Sequence, residues 1–482
     1  MAIIDLILPM GQTRTWHESL RSALCAEGHQ VQIVHGHVGR APLGLDAVLL
    51  AEKKAFRKAD AWLSDFKPMP VTEGRNPSEL SIALAPGQNS STTLSFGAGE
   101  NADPLPNWAT EIAFGILPTI EIFRSGGRIA HADPMVDNRV IMARGLDDVL
   151  ARAVTLMTKT VQSVLAGAAG RSTPKGKAGQ GPFLAGYLSQ NLPRLGRELL
   201  RRRRFQQAHW RVGFRFTEGL GVAETATLAG SPWHVLPDDA ARFYADPFPF
   251  TWEGRHYMFV EDYVHALGKA VISVSHIDAR GEPSVPVPIV EEPHHLSYPQ
   301  VFSRDGQIWM LPEASAGREL VLYRCTEFPW RWERYAVLAQ GPSLSDATLL
   351  DHDGCLWLFA TDNSLGGSSS DTMVVFRADA LTGPWRPHPQ NPITIDRAAA
   401  RPGGAIVRSG SKLILPLQNG TLGYGGGLGM AEIMRLTPEE VVVGVPRPVE
   451  TKGYWPYPQI HTLNRFGSLE VIDGIAAVPR PR

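Results

Sequence analysis

Five residues with chemically useful side chains stand at matched places in the C-terminal half of the chain. They are Asp246 in ADPFPFTWEG, Tyr298 in SYPQVFSRDG, Asp346 in SDATLLDHDG, Arg401 in ARPGGAIVRSG and Tyr457 in YPQIHTLNRFG. Each precedes the glycine that ends its segment (Gly254, Gly306, Gly354, Gly410 and Gly467), and a second row, Glu261, Glu313, Asp362 and Gln418, follows the first four of these glycines. Carboxyl groups gathered in one place can divide acid and base roles, because burial and mutual repulsion separate their proton affinities. A guanidinium among them offers paired donors to a phosphate or carboxylate.

The elements that must position these residues follow from the spacing. The five glycines are separated by 52, 48, 56 and 57 residues, a period in the range of propeller blades. Glycine supplies the positive φ of a tight hairpin, and flanking residues such as Tyr257, Trp309 and Trp357 suit strands packed between sheets. Further strands are expected at 270–276, 320–323 and 373–376, so that residues 231–482 form an all-β, five-bladed β-propeller. If the first strand of each hairpin is innermost, the first row rings the mouth of the central channel and the second lies one layer out.

The repeat resembles the five-bladed propellers of the arabinanase, invertase and levansucrase superfamily. More narrowly, ADPFPFTWEGRHYMFVED, SYPQVFSRDGQIWMLPEAS and ARPGG are similar to the propeller at the N-terminus of plant glucosamine inositolphosphorylceramide transferases and their bacterial relatives. The resemblance implies a sugar substrate. It implies Asp246 as base or nucleophile, with Glu313 as general acid and Asp346 orienting the sugar or tuning Glu313. Arg401 then points to an anionic donor or acceptor, Glu261 and Asp362 to substrate contacts, and Tyr298, Tyr457 and Trp455 to faces against which a sugar ring packs. Each carboxylate beside Pro or Gly could equally serve a turn backbone.

Residues 1–165 read as an α/β domain. Strands are expected at 3–8, 31–34 and 47–50, around a helix from the Thr15 region to Gly28. Strands at 80–84, 92–96 and 119–123, a short helix at 108–114 and a last helix from Leu146 complete it. That helix places Leu150, Val154, Met157, Val161 and Leu165 on one stripe. The domain faintly resembles a formyltransferase-like fold, but the stretch SFGAGENADPLPNW lacks that family's histidine, so formyl transfer is expected to be lost. Residues 166–182 read as a flexible linker, and 183–230 as a basic helix followed by a connecting strand. The run Arg201–Arg204 fits either a solvated helix with locally paired arginines or contact with an anionic membrane surface.

Lys plus Arg number 47 and Asp plus Glu 48, so no global field attracts nucleic acid. Cys25, Cys325 and Cys355 show no disulfide or metal spacing, His294-His295 lacks a third ligand, and no metal or other cofactor is expected. The N-terminal sequence lacks an export pattern, and no apolar run reaches membrane-spanning length, which makes cytoplasmic residence, with peripheral contact at the inner membrane face, the expectation. Glycosyl transfer, glycoside hydrolysis and non-catalytic glycan binding stay open. Location favours transfer in the synthesis of a bacterial-type surface glycan or glycolipid, with a nucleotide-sugar donor and a lipid-linked acceptor.

Overall fold

The computed structural model describes residues 1–39, 41–56, 61–85, 90–97, 103–168, 181–206, 208–457 and 459–480. Most of the expected linker and part of the SFGAGENADPLPNW stretch lie outside the described residues. The chain forms two compact units, Met1–Arg201 with Leu365–Ser368, and Arg202–Arg482 without that segment.

The first unit is built on a six-stranded sheet in the order Gln30–Gly36, Ile3–Pro9, Leu80–Ala83, Thr93–Ser95, Ile120–Arg124, Gly127–Ala132. The first four strands are parallel and the last two form an antiparallel hairpin. The hairpin's return strand, Gly127–Ala132, has no counterpart in the sequence reading. Residues 47–50, expected as a strand, lie in the helix Leu45–Ala55. Leu45, Val48 and Glu52 are its buried residues, and steps of three and four put them on one helical face. Four apolar residues alone could not distinguish the two states. The helix Thr15–Ala26 starts one residue earlier than a Thr15 cap would require: the Arg14 amide donates to His17 Nδ1 at 3.1 Å, while Thr15 Oγ1 donates to the Ser64 carbonyl.

The second unit is a propeller of five antiparallel sheets, each carrying at least four strands. Four blades are consecutive in sequence, with first strands Arg242–Trp252, Ser297–Arg304, Leu344–His352 and Val407–Ser409. The fifth is composite. Its order is Leu463–Phe466, Leu469–Ile475, Trp210–Phe216, His234–Val235, so the strand read as a connector is the third strand of the last blade. The propeller therefore begins before residue 231, and its ring is closed by backbone hydrogen bonds between the two ends of the unit. Alternation explains the strand's place, since Trp210, Val212 and Phe214 are buried in the core. Glu253-Gly254, Asp305-Gly306 and Asp353-Gly354 have positive φ at both residues, as two-residue type I′ hairpin turns require.

Candidate functional site

Three first strands share an unusual backbone feature. Asp246, Tyr298 and Asp346 have φ of 46°, 47° and 50°, the left-handed region that non-glycine residues rarely occupy. Each sits where pairing with the second strand slips, between Phe259 and Glu261, Ser297 and Gln300, and Ser345 and Thr348. A bulge of this kind turns a side chain out of the normal alternation, at a backbone cost that recurs at functional sites.

Asp346 and Arg401 come together as a buried, paired contact. Arg401 Nε donates to Asp346 Oδ2 at 2.6 Å and Nη2 to Oδ1 at 3.1 Å, while Gln418 Nε2 donates to the same Oδ2 at 2.6 Å. The remaining nitrogen, Nη1, donates to the hydroxyls of Ser369 (3.0 Å) and Ser370 (3.3 Å). Glu313 Oε2 lies 3.7 Å from Arg401. All three guanidinium nitrogens thus have protein acceptors. Arg401 compensates Asp346 and does not present an open fork to an anionic ligand, a correction to the expectation from sequence.

Asp246 belongs to a second group that sequence reasoning missed. Its Oδ1 accepts from Thr462 Oγ1 at 2.8 Å and lies 3.5 Å from His461 Nε2. His461 Nδ1 lies 2.8 Å from Asp473 Oδ2, and its ring stacks on Trp210 with centroids 3.8 Å apart and planes 12° from parallel. Asp473 Oδ1 accepts from the backbone amides of His461 and Thr462. Burial alone would lower the imidazole's proton affinity, but the carboxylates of Asp473 and Asp246 raise it above the usual histidine value. Burial would raise the Asp473 carboxyl; His461 and the amides hold it below the ordinary range. Asp246 is pushed up to about 7, first by burial, with Asp346 and Asp473 raising it further against the opposing charge of His461 and the Thr462 hydrogen bond.

Asp246, His461 and Asp473 each bring a ligand-capable atom within 4.8 Å of the others, which tests them as a metal site. Asp473 Oδ2 already accepts from His461 Nδ1 and from the Asp246 amide (3.2 Å), and it lies 2.9 Å from the Thr462 hydroxyl oxygen, whose one hydrogen serves Asp246. A carboxylate oxygen so occupied fits a hydrogen-bonded aspartate–histidine pair better than a metal ligand set.

The outer row divides. Glu313 is buried with donors on both oxygens: Oε1 accepts from the Ser315 amide and hydroxyl, Oε2 from Ser297 Oγ. Glu261 is 7% exposed and accepts no hydrogen bond from the described residues. His295 Nε2 lies 3.4 Å from its Oε1. Burial raises the Glu261 carboxyl well above its ordinary value, and Asp246, Glu313, Asp473 and Asp346 raise it further. His295, read from sequence as a solvated loop histidine, thus stands at this group, and burial lowers its proton affinity.

Other expected ligand contacts lie elsewhere. Tyr298 is fully buried, its hydroxyl 2.9 Å from Thr348 Oγ1 and its ring edge-on to Phe248, so it packs beneath the site with no face for a sugar. Tyr457 and Trp455 pack together in a core cluster, and His461 represents the fifth blade in the acidic group. Asp362 accepts from the amide and hydroxyl of Ser364 in its own turn. The Asp473 position was legible, because VIDG continues the row of second-strand ends. His461 was not, since it stands six residues before Gly467 where Asp246 stands eight before Gly254.

Residues 235–464 match the family model described as glucosamine inositolphosphorylceramide transferase 1, N-terminal. Among curated proteins, glucosamine inositolphosphorylceramide transferase 1 of Oryza sativa subsp. indica is 32% identical over 248 residues, covering 48% of this chain and 33% of the relative. The Arabidopsis thaliana protein of that name is 30% identical over 204 residues, covering 42% and 26%. The chain therefore spans a third or less of the length of these curated relatives. Similar solved structures include the catalytic domain of the Coprinopsis cinerea GH62 α-L-arabinofuranosidase (TM-score 0.37, 12% identity, 47% of this chain and 78% of that one). Another is the exo-β-1,3-galactanase 1,3Gal43A of Clostridium thermocellum (TM-score 0.36, 12% identity, 51% and 64%).

Proposed function

We propose that this chain is a carbohydrate-active protein whose propeller handles a sugar during glycosyl transfer, in the synthesis of a bacterial-type surface glycan or glycolipid. The observation that carries this reading is the gathering of Asp246, Glu261, Glu313 and Asp346 as buried carboxylates around one site, two of them on left-handed bulges. In this reading Asp246, beside the His461 imidazolium, acts as base or nucleophile. Glu261, the carboxyl without a hydrogen-bond donor, replaces Glu313 as the group that holds a proton for a leaving oxygen, because Glu313 has donors on both oxygens. Asp346, fixed by Arg401 and Gln418, orients the sugar. The names of the matched relatives support transfer of an amino sugar to a lipid-linked acceptor, and a nucleotide sugar is the donor class we assign.

The reading places the protein in the cytoplasm, peripheral to the inner membrane face. Among the described residues no helix is long and apolar enough to cross a membrane. Support for surface contact comes from the helix Leu192–Arg204, where Leu192, Leu199 and Leu200 are 45–47% exposed beside Arg197, Arg203 and Arg204. An apolar stripe flanked by arginines suits an anionic bilayer surface. Salt-sensitive flotation with anionic vesicles, lost when Arg201–Arg204 become Gln, is the expected result; flotation unchanged by the substitution removes this contact.

The deciding experiment is thermal stabilisation of the wild type and Asp246→Ala by nucleotide sugars and by soluble glycans. A ligand at about 100 times its dissociation constant adds roughly 2.7 kcal/mol. Stabilisation by a nucleotide sugar, abolished in the variant, supports transfer. A response confined to free glycans puts hydrolysis or plain binding in its place.

A further inference from the structure

The first unit holds a cleft of its own, and its place follows from the strand order. From Ile3–Pro9 the chain pairs first with Gln30–Gly36 on one side and then crosses to Leu80–Ala83 on the other. In an open parallel sheet such a reversal leaves a crevice beyond the carboxyl ends of the strands, where folds of this kind take small ligands. A cleft of about 670 Å³ lies there, with Gly11, Arg14 and His17 beyond Ile3–Pro9, Ala41 beyond Gln30–Gly36, and Asp103 ahead of the helix Leu105–Ala113. That volume is in the range of small-molecule sites. Every lining residue belongs to the first unit, so the cleft is separate from the carboxylates of the sugar reading.

Two of its polar groups are left half used. His17 is 4% exposed, and its Nδ1 accepts from the Arg14 amide at 3.1 Å, so Nε2 carries the proton and has no acceptor among the described residues. Burial, with the charge of Arg14 added, lowers this imidazole to about 3, which keeps it a neutral donor. Asp103 Oδ1 accepts from the Leu105 amide at 3.0 Å, while Oδ2 has no donor among the described residues. Burial raises that carboxyl against the Leu105 amide and Arg14. Arg14 acts on both groups, and its guanidinium has Asp46 at 3.7 Å as its nearest carboxylate. The amides of Thr15 and Trp16 at the start of the helix are taken by the Ser64 and Trp62 carbonyls, so an anion here is received by side chains alone. A buried donor and a buried acceptor without partners cost free energy that a ligand supplying both recovers.

The balance of charge decides the class of ligand. Two cations, Arg14 and Lys53, face three carboxylates, Asp46, Asp65 and Asp103, in the lining. One net negative charge opposes a dianion such as phosphate, and Arg14 in the same wall opposes a simple cation. Leu49, Leu50, Leu63 and Phe66 add apolar surface, with Leu50 56% and Phe66 40% exposed. We infer that the cleft binds a small zwitterion of the α-amino-acid type with an apolar side chain. Its carboxylate is received by the Arg14 guanidinium and His17 Nε2, and its ammonium by Asp103. Removing either charge from such a ligand strands one of these groups, which is the source of selectivity. The inference stands independently of the sugar reading, whose residues lie in the second unit.

The test is ligand binding by the full chain, read by saturation-transfer NMR and calorimetry. The probes are L-phenylalanine, L-leucine, 3-phenylpropanoate, which lacks the ammonium, and 2-phenylethylamine, which lacks the carboxylate. Phenylalanine or leucine is expected to bind, and each truncated analogue at least about tenfold more weakly than phenylalanine. Arg14→Met keeps the backbone amide that serves His17 and should remove phenylalanine binding. Asp103→Asn should bring phenylalanine and 3-phenylpropanoate to equal affinity, with thermal unfolding still cooperative in both variants. The analogue series in the wild type decides the matter even where a variant fails to fold. Equal or tighter binding of 3-phenylpropanoate shows a plain carboxylate site, and equal or tighter binding of 2-phenylethylamine a cation site; either overturns the inference. Binding of phenylalanine that survives both substitutions, or no binding of either amino acid in the millimolar range, also overturns it and leaves the sugar reading untouched.

Discussion

The imidazole of His461 bridges two carboxylates: its Nδ1 lies 2.8 Å from Asp473 and its Nε2 lies 3.5 Å from Asp246. The short contact makes Asp473 the group that fixes the ring's orientation, and the long one leaves Asp246 with room to act. A buried pair is costly to break from one side, because the remaining charge is stranded in low dielectric. Asp473→Ala should therefore cost about 3–5 kcal/mol in urea unfolding. Its pH dependence has two edges. The pair needs Asp473 ionised and His461 protonated, so its contribution is fully present between the ordinary values of 3.8 and 6.5. It is lost as pH falls through the lowered Asp473 value and as pH rises through the raised His461 value. Asp473→Asn should remove both edges.

Asp246 has the opposite sign from most carboxylates. Its folded-state value of about 7 exceeds the ordinary 3.8, so the native chain binds more protons than the unfolded chain between these limits. Its contribution is present below the lower value and is lost as pH rises through the upper one. Asp246→Asn should accordingly flatten the fall in stability between pH about 4 and 7. Turnover in the wild type should rise over the upper part of the same window, because the base must be ionised. An unchanged stability slope in the variant would show that Asp246 titrates normally.

Arg401 and Asp346 yield a prediction that separates compensation from anion binding. Arg401→Met leaves Asp346 buried with Gln418 as its remaining side-chain donor, and should cost about 3–5 kcal/mol. Arg401→Lys keeps the charge but cannot reproduce two parallel bonds, and should fall between wild type and Arg401→Met. Inorganic phosphate should leave the melting temperature of the wild type unchanged. Stabilisation by phosphate that disappears in Arg401→Lys would restore Arg401 as an anion receptor.

How far the sequence disclosed this site depended on which signal each residue left. The hairpin glycines imposed a visible period because their backbone conformation restricts residue choice, and they located Asp246, Asp346, Arg401, Glu261 and Glu313. The period broke in the fifth blade, where Tyr457 packs in a core cluster and His461 takes the place beside the carboxylates. It also gave no sign that Arg401 is internally satisfied, since hydrogen-bond partners such as Ser369 and Ser370 lie on a connection outside the repeat. In the first unit, Ala47–Leu50 carried four apolar residues in a row, too few to tell helix from strand before the buried spacing of Leu45, Val48 and Glu52 was known.

The composite last blade makes the boundary itself testable. A chain shortened to begin at Ser231 keeps every hairpin of the repeat but loses Trp210–Phe216, the strand that pairs with Leu469–Ile475 along seven residues. It also loses Trp210, Val212 and Phe214, each buried to 3% exposure or less, and with Trp210 the stacking partner of His461. Removing one such aromatic typically costs about 3–5 kcal/mol, and removing the strand also exposes the edge of the second strand to other chains. The shortened chain should aggregate or unfold without a cooperative transition. A chain beginning at Arg202, the start of the compact unit, retains the closing strand and should melt in a single transition. A cooperative, monomeric fold starting at Ser231 would show that closure by Trp210–Phe216 is dispensable, and that the ring is held by packing between the other four blades.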